Sequence, residues 1–219
     1  MARRDATPGR FEGFGPESLA FLRELAQHND KAWFDAHRDR YERWVRGPMQ
    51  ALIAELEGLF GPGRLFRPNR DVRFSNDKRP YKEWVAATIG GRDAVAARYV
   101  HLDAAKLYVA AGAHRLSGDA LRSFRRAVDA EASGAELVRI QRELAAKGYE
   151  LAGATLKRGP RDVDPDHPRL ELLKHTGVTI HRAHPAGDWL FDPGEVVSRV
   201  ARTFGDAEPL VSWARKHLS

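Results

Sequence analysis

The stretch RYVHLDAAKLYVAAG, residues 98–112, decides how the chain is to be read. In its first arm Val100 and Leu102 alternate with Tyr99 and His101, the period-2 pattern of a strand with one face buried. Asp103-Ala104-Ala105 interrupts the pattern, and a second apolar arm follows, so the stretch predicts a β-hairpin. Upstream, EWVAATIGG (83–91) and DVRFS (71–75) read as short strands, and downstream GVTIHRAH (177–184) reads as a last one.

Helices flank this middle. GPESLAFLRELAQH (15–28) carries Pro16 in a favourable first turn and sets Phe21, Leu22 and Leu25 on one face. Asn29 or Asp30 supplies an N-cap for a second helix, in which Trp33, Phe34, His37, Tyr41, Trp44 and Val45 recur at helical spacing as a core stripe. Gly47-Pro48 breaks or kinks it before the pattern resumes through Leu52, Ile53, Leu56, Leu59 and Phe60. Two more helices are predicted near 118–131 and 134–147, the second capped by Ser133. A short helix is expected around 169–174, and DPGEVV (192–197) offers a capping box of Asp192 and Glu195 ahead of one or two C-terminal helices. The expected architecture is a single α+β domain over residues 13–219. A central antiparallel or mixed sheet packs with N-terminal and C-terminal helices, behind a flexible segment at 1–12.

Composition narrows the function classes. The 219 residues include no cysteine, which excludes disulfides, thiolate zinc sites and cysteine nucleophiles. No apolar run approaches the ~20 residues of a membrane span, and a cytoplasmic protein without membrane partners is expected. The net charge of +6 is local: residues 64–82 hold Arg64, Arg67, Arg70, Arg73, Lys78, Arg79 and Lys82 against only Asp71 and Asp77. Walker loops, dinucleotide glycine fingerprints, H-E-x-x-H and G-x-S-x-G are all lacking. HRAH (181–184) puts its two histidines on opposite faces of a strand, so no metal site is expected there.

Two segments carry chemistry. In RDVRFSNDKRPYK (70–82), Arg70, Arg73, Lys78 and Lys82 form a candidate seat for an anionic, phosphorylated or nucleotide-like ligand. Ser75 and Tyr81 add hydrogen bonds, and Asp71 or Asp77 orients an arginine, with Asp77 also a candidate catalytic group. In LKRGPRDVDPDHP (156–168), Lys157 and Arg158 add cations, and His167 beside Asp166 is the best candidate for proton transfer. Asp166 also suits a plainer role, capping a short helix with Pro168 in its first turn. His101 is either a ligand or base, or packing beside Tyr99. Two other readings fit the 70–82 residues: a basic surface for nucleic acid, or a structural clasp in which the arginines neutralise Asp71 and Asp77. Cofactor, reaction and oligomeric state are not specified by the sequence.

The chain resembles the family catalogued as domain of unknown function 2461. The resemblance rests on four blocks in order: LAFLRELAQHNDKAWFDAHRDRYE (19–42), FRPNRDVRFSNDKRPYK (66–82), YVHLDAAKLYVAAG (99–112) and LKRGPRDVDPDHPRLELLK (156–174). It implies a single α+β domain and no assigned activity. The family pattern matches Asn29, Trp33, Phe34, Arg70, Asp71, Arg73, Phe74, Ser75, Asp77, Lys78, Pro80, Tyr81 and Lys82. It also matches Lys157, Arg158, Asp166, His167 and Pro168. Gly159, Asp162 and the DAAK hairpin tip depart from it.

Overall fold

A computed structural model describes residues 10–73, 76–91 and 95–218. Phe74 and Ser75 lie outside the described residues. The chain begins with helix α1 (Pro16–Gln27), then α2 (Lys31–Ala36), α3 (Arg38–Tyr41), a π-helical turn (Glu42–Arg46) and α4 (Gly47–Phe60). Strands β1 (Gly63–Leu65), β2 (Trp84–Ile89), β3 (Ala97–Asp103) and β4 (Lys106–Ala113) follow. Next come α5 (Gly118–Asp129), α6 (Glu131–Ala146), α7 (Leu170–Leu173), β5 (Val178–Pro185), a 3₁₀ turn (Asp188–Phe191), α8 (Pro193–Asp206) and α9 (Glu208–His217). The class is α+β, with one antiparallel sheet in the order β1-β2-β3-β4-β5. No helix among the described residues is long and apolar enough to cross a membrane.

The hairpin that decides the reading is present as β3 and β4. Asp103 Oδ1 accepts the backbone N–H groups of Ala105 (2.7 Å) and Lys106 (2.9 Å), which closes the turn without glycine. Val100 and Leu102 are fully buried, whereas Tyr99, His101 and Asp103 on the opposite face are half-buried.

By internal packing the chain forms two compact units. The first takes the described residues up to Gly91 with Tyr99–Tyr108 and Ala183–Ala201; the second takes residues 95–98, Val109–Arg182 and residues 202–218. The first unit packs Phe14, Phe21, Leu22, Leu25, Phe34, Met49, Leu52 and Leu56 in its interior. Pro48 explains a polar contact inside it. Lacking an N–H, Pro48 leaves the Trp44 carbonyl without its helical donor, and the hydroxyl of fully buried Ser18 fills that role. The second unit is built around Phe124, Leu137, Ile140 and Trp213; the Trp213 indole donates to the Ser133 carbonyl at 3.0 Å.

Several expectations need correction. DVRFS is not a strand over its described residues: it lies in an irregular loop, because Asp71 and Asp77 bond backbone amides two residues on and outcompete a ladder. The short β1, without a period-2 signal of its own, pairs with β2 in the register Gly63↔Ile89, Arg64↔Thr88 and Leu65↔Ala87. Ser133 does not start α6, which begins at Glu131; its hydroxyl donates instead to the Ala127 carbonyl at 2.7 Å. Asp192 caps α8 through Gly194 and Glu195, but the Glu195 carboxylate turns to Arg199, leaving half a capping box.

Gly112 in β4 is required by both conformation and space. Its φ is +130°, and a Cβ there meets the Val178 carbonyl oxygen at 2.3 Å. Gly112→Ala is expected to destabilise the protein by about 3 kcal/mol, since strained φ and backbone displacement add. Urea unfolding measures this, and an unchanged midpoint contradicts it.

Candidate functional site

Residues 68–73 and 76–82 form the two limbs of an arm, zipped together at their ends. Asn69 and Tyr81 make an antiparallel bridge, Arg70 N–H donates to the Pro80 carbonyl (2.8 Å), and Lys82 N–H to the Pro68 carbonyl (2.9 Å). The Asn29 side chain fastens the backbone of the arm. Asn29 Oδ1 accepts the Tyr81 N–H at 3.0 Å while its Nδ2 donates to the Tyr81 carbonyl at 3.1 Å, so the amide acts as a one-residue strand partner. Asp30, not Asn29, is the cap of α2, accepting the Trp33 N–H at 2.9 Å. Tyr81 is buried, with its ring stacked on Phe34 at 3.9 Å and 12°.

Inside the arm the charges pair. Asp77 takes Arg70 on one side and Arg79 on the other, and Arg79 also reaches Glu83. Arg79, then Arg70, hold the Asp77 carboxyl far below the usual carboxylate range. A carboxylate held by two guanidinium groups orients them and is a poor proton acceptor. Asp71 receives Arg73 through Nε (2.9 Å) and Nη2 (2.7 Å) at the surface, where the pair is solvent-screened. Lys78 donates to the Val72 carbonyl at 3.1 Å.

Lys82 stands apart. Its ammonium donates to the Arg67 carbonyl at 2.7 Å and lies over the rings of Phe66 (5.7 Å) and Trp84 (5.1 Å). Desolvation, with the nearby charges of Arg67 and Arg70, pushes its pKa down. Arg70, Asp71, Val72, Asp77, Lys82 and Trp84 together line an open cleft of about 240 Å³.

The same two rings lead onto the exposed face of the hairpin. Trp84 stacks on the His101 imidazole at 4.9 Å, and Phe66 packs on Tyr99 at 6.1 Å. Tyr99 Oη lies 3.1 Å from His101 Nδ1, and His101 Nε2 lies 3.2 Å from Asp103 Oδ2. Burial pushes the His101 pKa below its ordinary value of 6.5, against the opposing pull of Asp103, and pushes the Tyr99 phenol up to about 12. The signal for this group was in the sequence: Tyr99, His101 and Asp103 are spaced i, i+2, i+4 on one strand face.

The 157–168 residues belong to the second unit, and none of them lines the cleft at Lys82. Lys157 and Arg158 are exposed. His167 is oriented not by Asp166 but by Asp129, 3.2 Å from its Nε2, while its Nδ1 accepts the Arg169 N–H at 3.0 Å. With Nδ1 accepting, the neutral ring must donate from Nε2, so both nitrogens are occupied. Asp166 is not the cap of α7: that position is Arg169, and the Asp166 N–H goes to Asp164 at 2.8 Å. Arg169 itself ties the end of α5, donating to the carbonyls of Val128 and Asp129, each at 2.7 Å.

Two outcomes follow. Asn29→Ala strips both bonds from the Tyr81 backbone and is expected to cost about 2 kcal/mol, because a part-buried peptide group loses its partners; an unfolding midpoint equal to wild type contradicts this. The second concerns pH. With the folded pKa of His101 below 6.5, the unfolded chain binds more protons in the window beneath that value, so its contribution to stability is lost as pH falls through it. Unfolding free energy measured above and below pH 6.5 should decline on acidification, less steeply in His101→Asn; equal slopes contradict the assignment.

Comparison with curated proteins finds no match. The sequence profile described as conserved hypothetical protein (DUF2461) matches residues 17–213, a span that includes the Asn29 anchor, the whole 68–82 arm, the Tyr99–His101–Asp103 strand and the His167 loop. The chain therefore belongs to the DUF2461 family.

Proposed function

We propose that this is a cytoplasmic protein that binds a small anion, a phosphate or a phosphate carried on one small ring, with Lys82 as its principal contact. One observation carries the reading: Lys82 is a partly desolvated ammonium flanked by Arg67 and Arg70, and it donates to a neutral carbonyl, that of Arg67. A cation in that setting gains most from an arriving anion, because the anion replaces lost hydration and relieves like-charge repulsion. Arg70, held on Asp77, supplies the second positive group of the cleft.

Size and lining support a small ligand. The cleft falls below the roughly 300–1,000 Å³ of sites for drug-sized molecules. Trp84 offers an aromatic surface beside the ammonium for a planar or apolar ligand body. A nucleic-acid surface has less support, since Arg70, Arg73 and Arg79 each spend guanidinium N–H groups on a carboxylate within the arm. The clasp and the site are compatible: the acid–arginine pairs shape the arm, and Lys82 lies outside those pairs in the lining of the cleft.

Calorimetry with inorganic phosphate at low salt tests the proposal. Lys82→Met should weaken binding by about 10–100-fold, the value of one charge-assisted hydrogen bond. Arg73→Ala, which removes a surface ion pair outside the cleft lining, should stay within about twofold of wild type. Equal affinity in wild type and Lys82→Met, or no phosphate binding at all, contradicts it.

A further inference from the structure

Resting on that anion site, the face of the hairpin beside it carries a second inference. Asp103 fixes the direction of the contacts. Its Oδ1 accepts the amides of Ala105 and Lys106, and its Oδ2 faces the Lys106 ammonium at 3.7 Å as well as His101 Nε2 at 3.2 Å. The two amides and the Lys106 ammonium are donors, and an ionised carboxylate only accepts, so His101 Nε2 carries the proton and donates to it. The neutral imidazole then has its lone pair on Nδ1, and that lone pair accepts the Tyr99 O–H at 3.1 Å. The three groups form a directed chain from phenol through imidazole to carboxylate, on a single strand whose turn holds the carboxylate rigid.

The chain adjoins the proposed anion seat through two rings. Phe66 touches both the Lys82 ammonium and Tyr99, and Trp84 touches both the Lys82 ammonium and His101. The remaining groups facing the imidazole are Tyr108, edge-on at 6.3 Å, and the charge of Lys106. We propose that Tyr99, His101 and Asp103 are a proton relay that activates a hydroxyl of the anionic substrate held at Lys82. The substrate O–H gives its proton to the Tyr99 oxygen as the phenol proton passes to His101 Nδ1. The phenol is thereby restored, the imidazolium is held by Asp103, and the substrate is left as an alkoxide. One proton has moved from substrate to His101, and no other reactant is needed. The burial of both rings suits this division: the phenol keeps its proton unless a base takes it, and His101 is neutral at physiological pH, with a lone pair able to accept one.

Histidine-selective ¹⁵N NMR on the full chain tests the relay. Wild type should show His101 as the Nε2–H tautomer, and saturating inorganic phosphate should raise its pKa by about half a unit or more, as a nearby anion favours the imidazolium. In Lys82→Met that phosphate-dependent rise should vanish with the tautomer unchanged; in Asp103→Asn the pKa should drop. An Nδ1–H tautomer, which reverses the Tyr99 contact, overturns the relay. So does phosphate that binds by calorimetry yet leaves His101 unmoved, a result that spares the anion site. Absence of phosphate binding overturns the anion site itself and, with it, the substrate assigned to the relay.

Discussion

The side-chain amide of Asn29 anchors the backbone of the 68–82 arm. Asn29 bonds both the N–H and the carbonyl of Tyr81, and Tyr81 in turn stacks on Phe34 of the next helix. The adjoining Lys82 inherits its position from that anchor, because its own N–H closes the arm on Pro68 and its side chain then has to run across Phe66 and Trp84. Moving Tyr81 therefore moves the ammonium, the cleft and the aromatic rings beside the hairpin. An amide suits this role, since it presents one donor and one acceptor at the spacing of a peptide group and carries no charge to be desolvated.

The arm's charge density resolves into two functions. Asp71 and Asp77 neutralise Arg73, Arg70 and Arg79 and, by bonding amides two residues on, bend the chain away from a regular strand. These pairs lie near the surface and contribute modestly to stability; their effect is on conformation. Lys82 lies outside these pairs, and its pKa is lowered instead of raised. A cation that an acid has stabilised has little to gain from a ligand, and one that burial and like charge have destabilised has much.

Local pattern carried far in this chain, and non-local partners set its limit. The hairpin was legible because Val100 and Leu102 alternate with polar neighbours, and the first helix because Pro16 and the apolar positions 21, 22 and 25 share one register. Three-residue β1 was not legible, since its membership comes from pairing with β2. The cap assigned to Ser133 failed because a carbonyl six residues back claimed its hydroxyl. His167 drew attention through its neighbour Asp166, yet its partner is Asp129, 38 residues away. For the site, the 70–82 segment is marked by its composition, and Tyr99, His101 and Asp103 recur at strand spacing. Their link to Lys82 was not, because it passes through Phe66 and Trp84, which sequence spacing cannot bring together.

The most direct measurement is the pKa of Lys82 itself, followed by NMR of selectively labelled lysine with and without inorganic phosphate. The expected result is a value below the ordinary 10.5 in the free protein, rising when phosphate binds. A Lys82 that titrates at 10.5 or above and does not respond to phosphate would show that its charge is already satisfied, and the cleft would lose its claim to an anion.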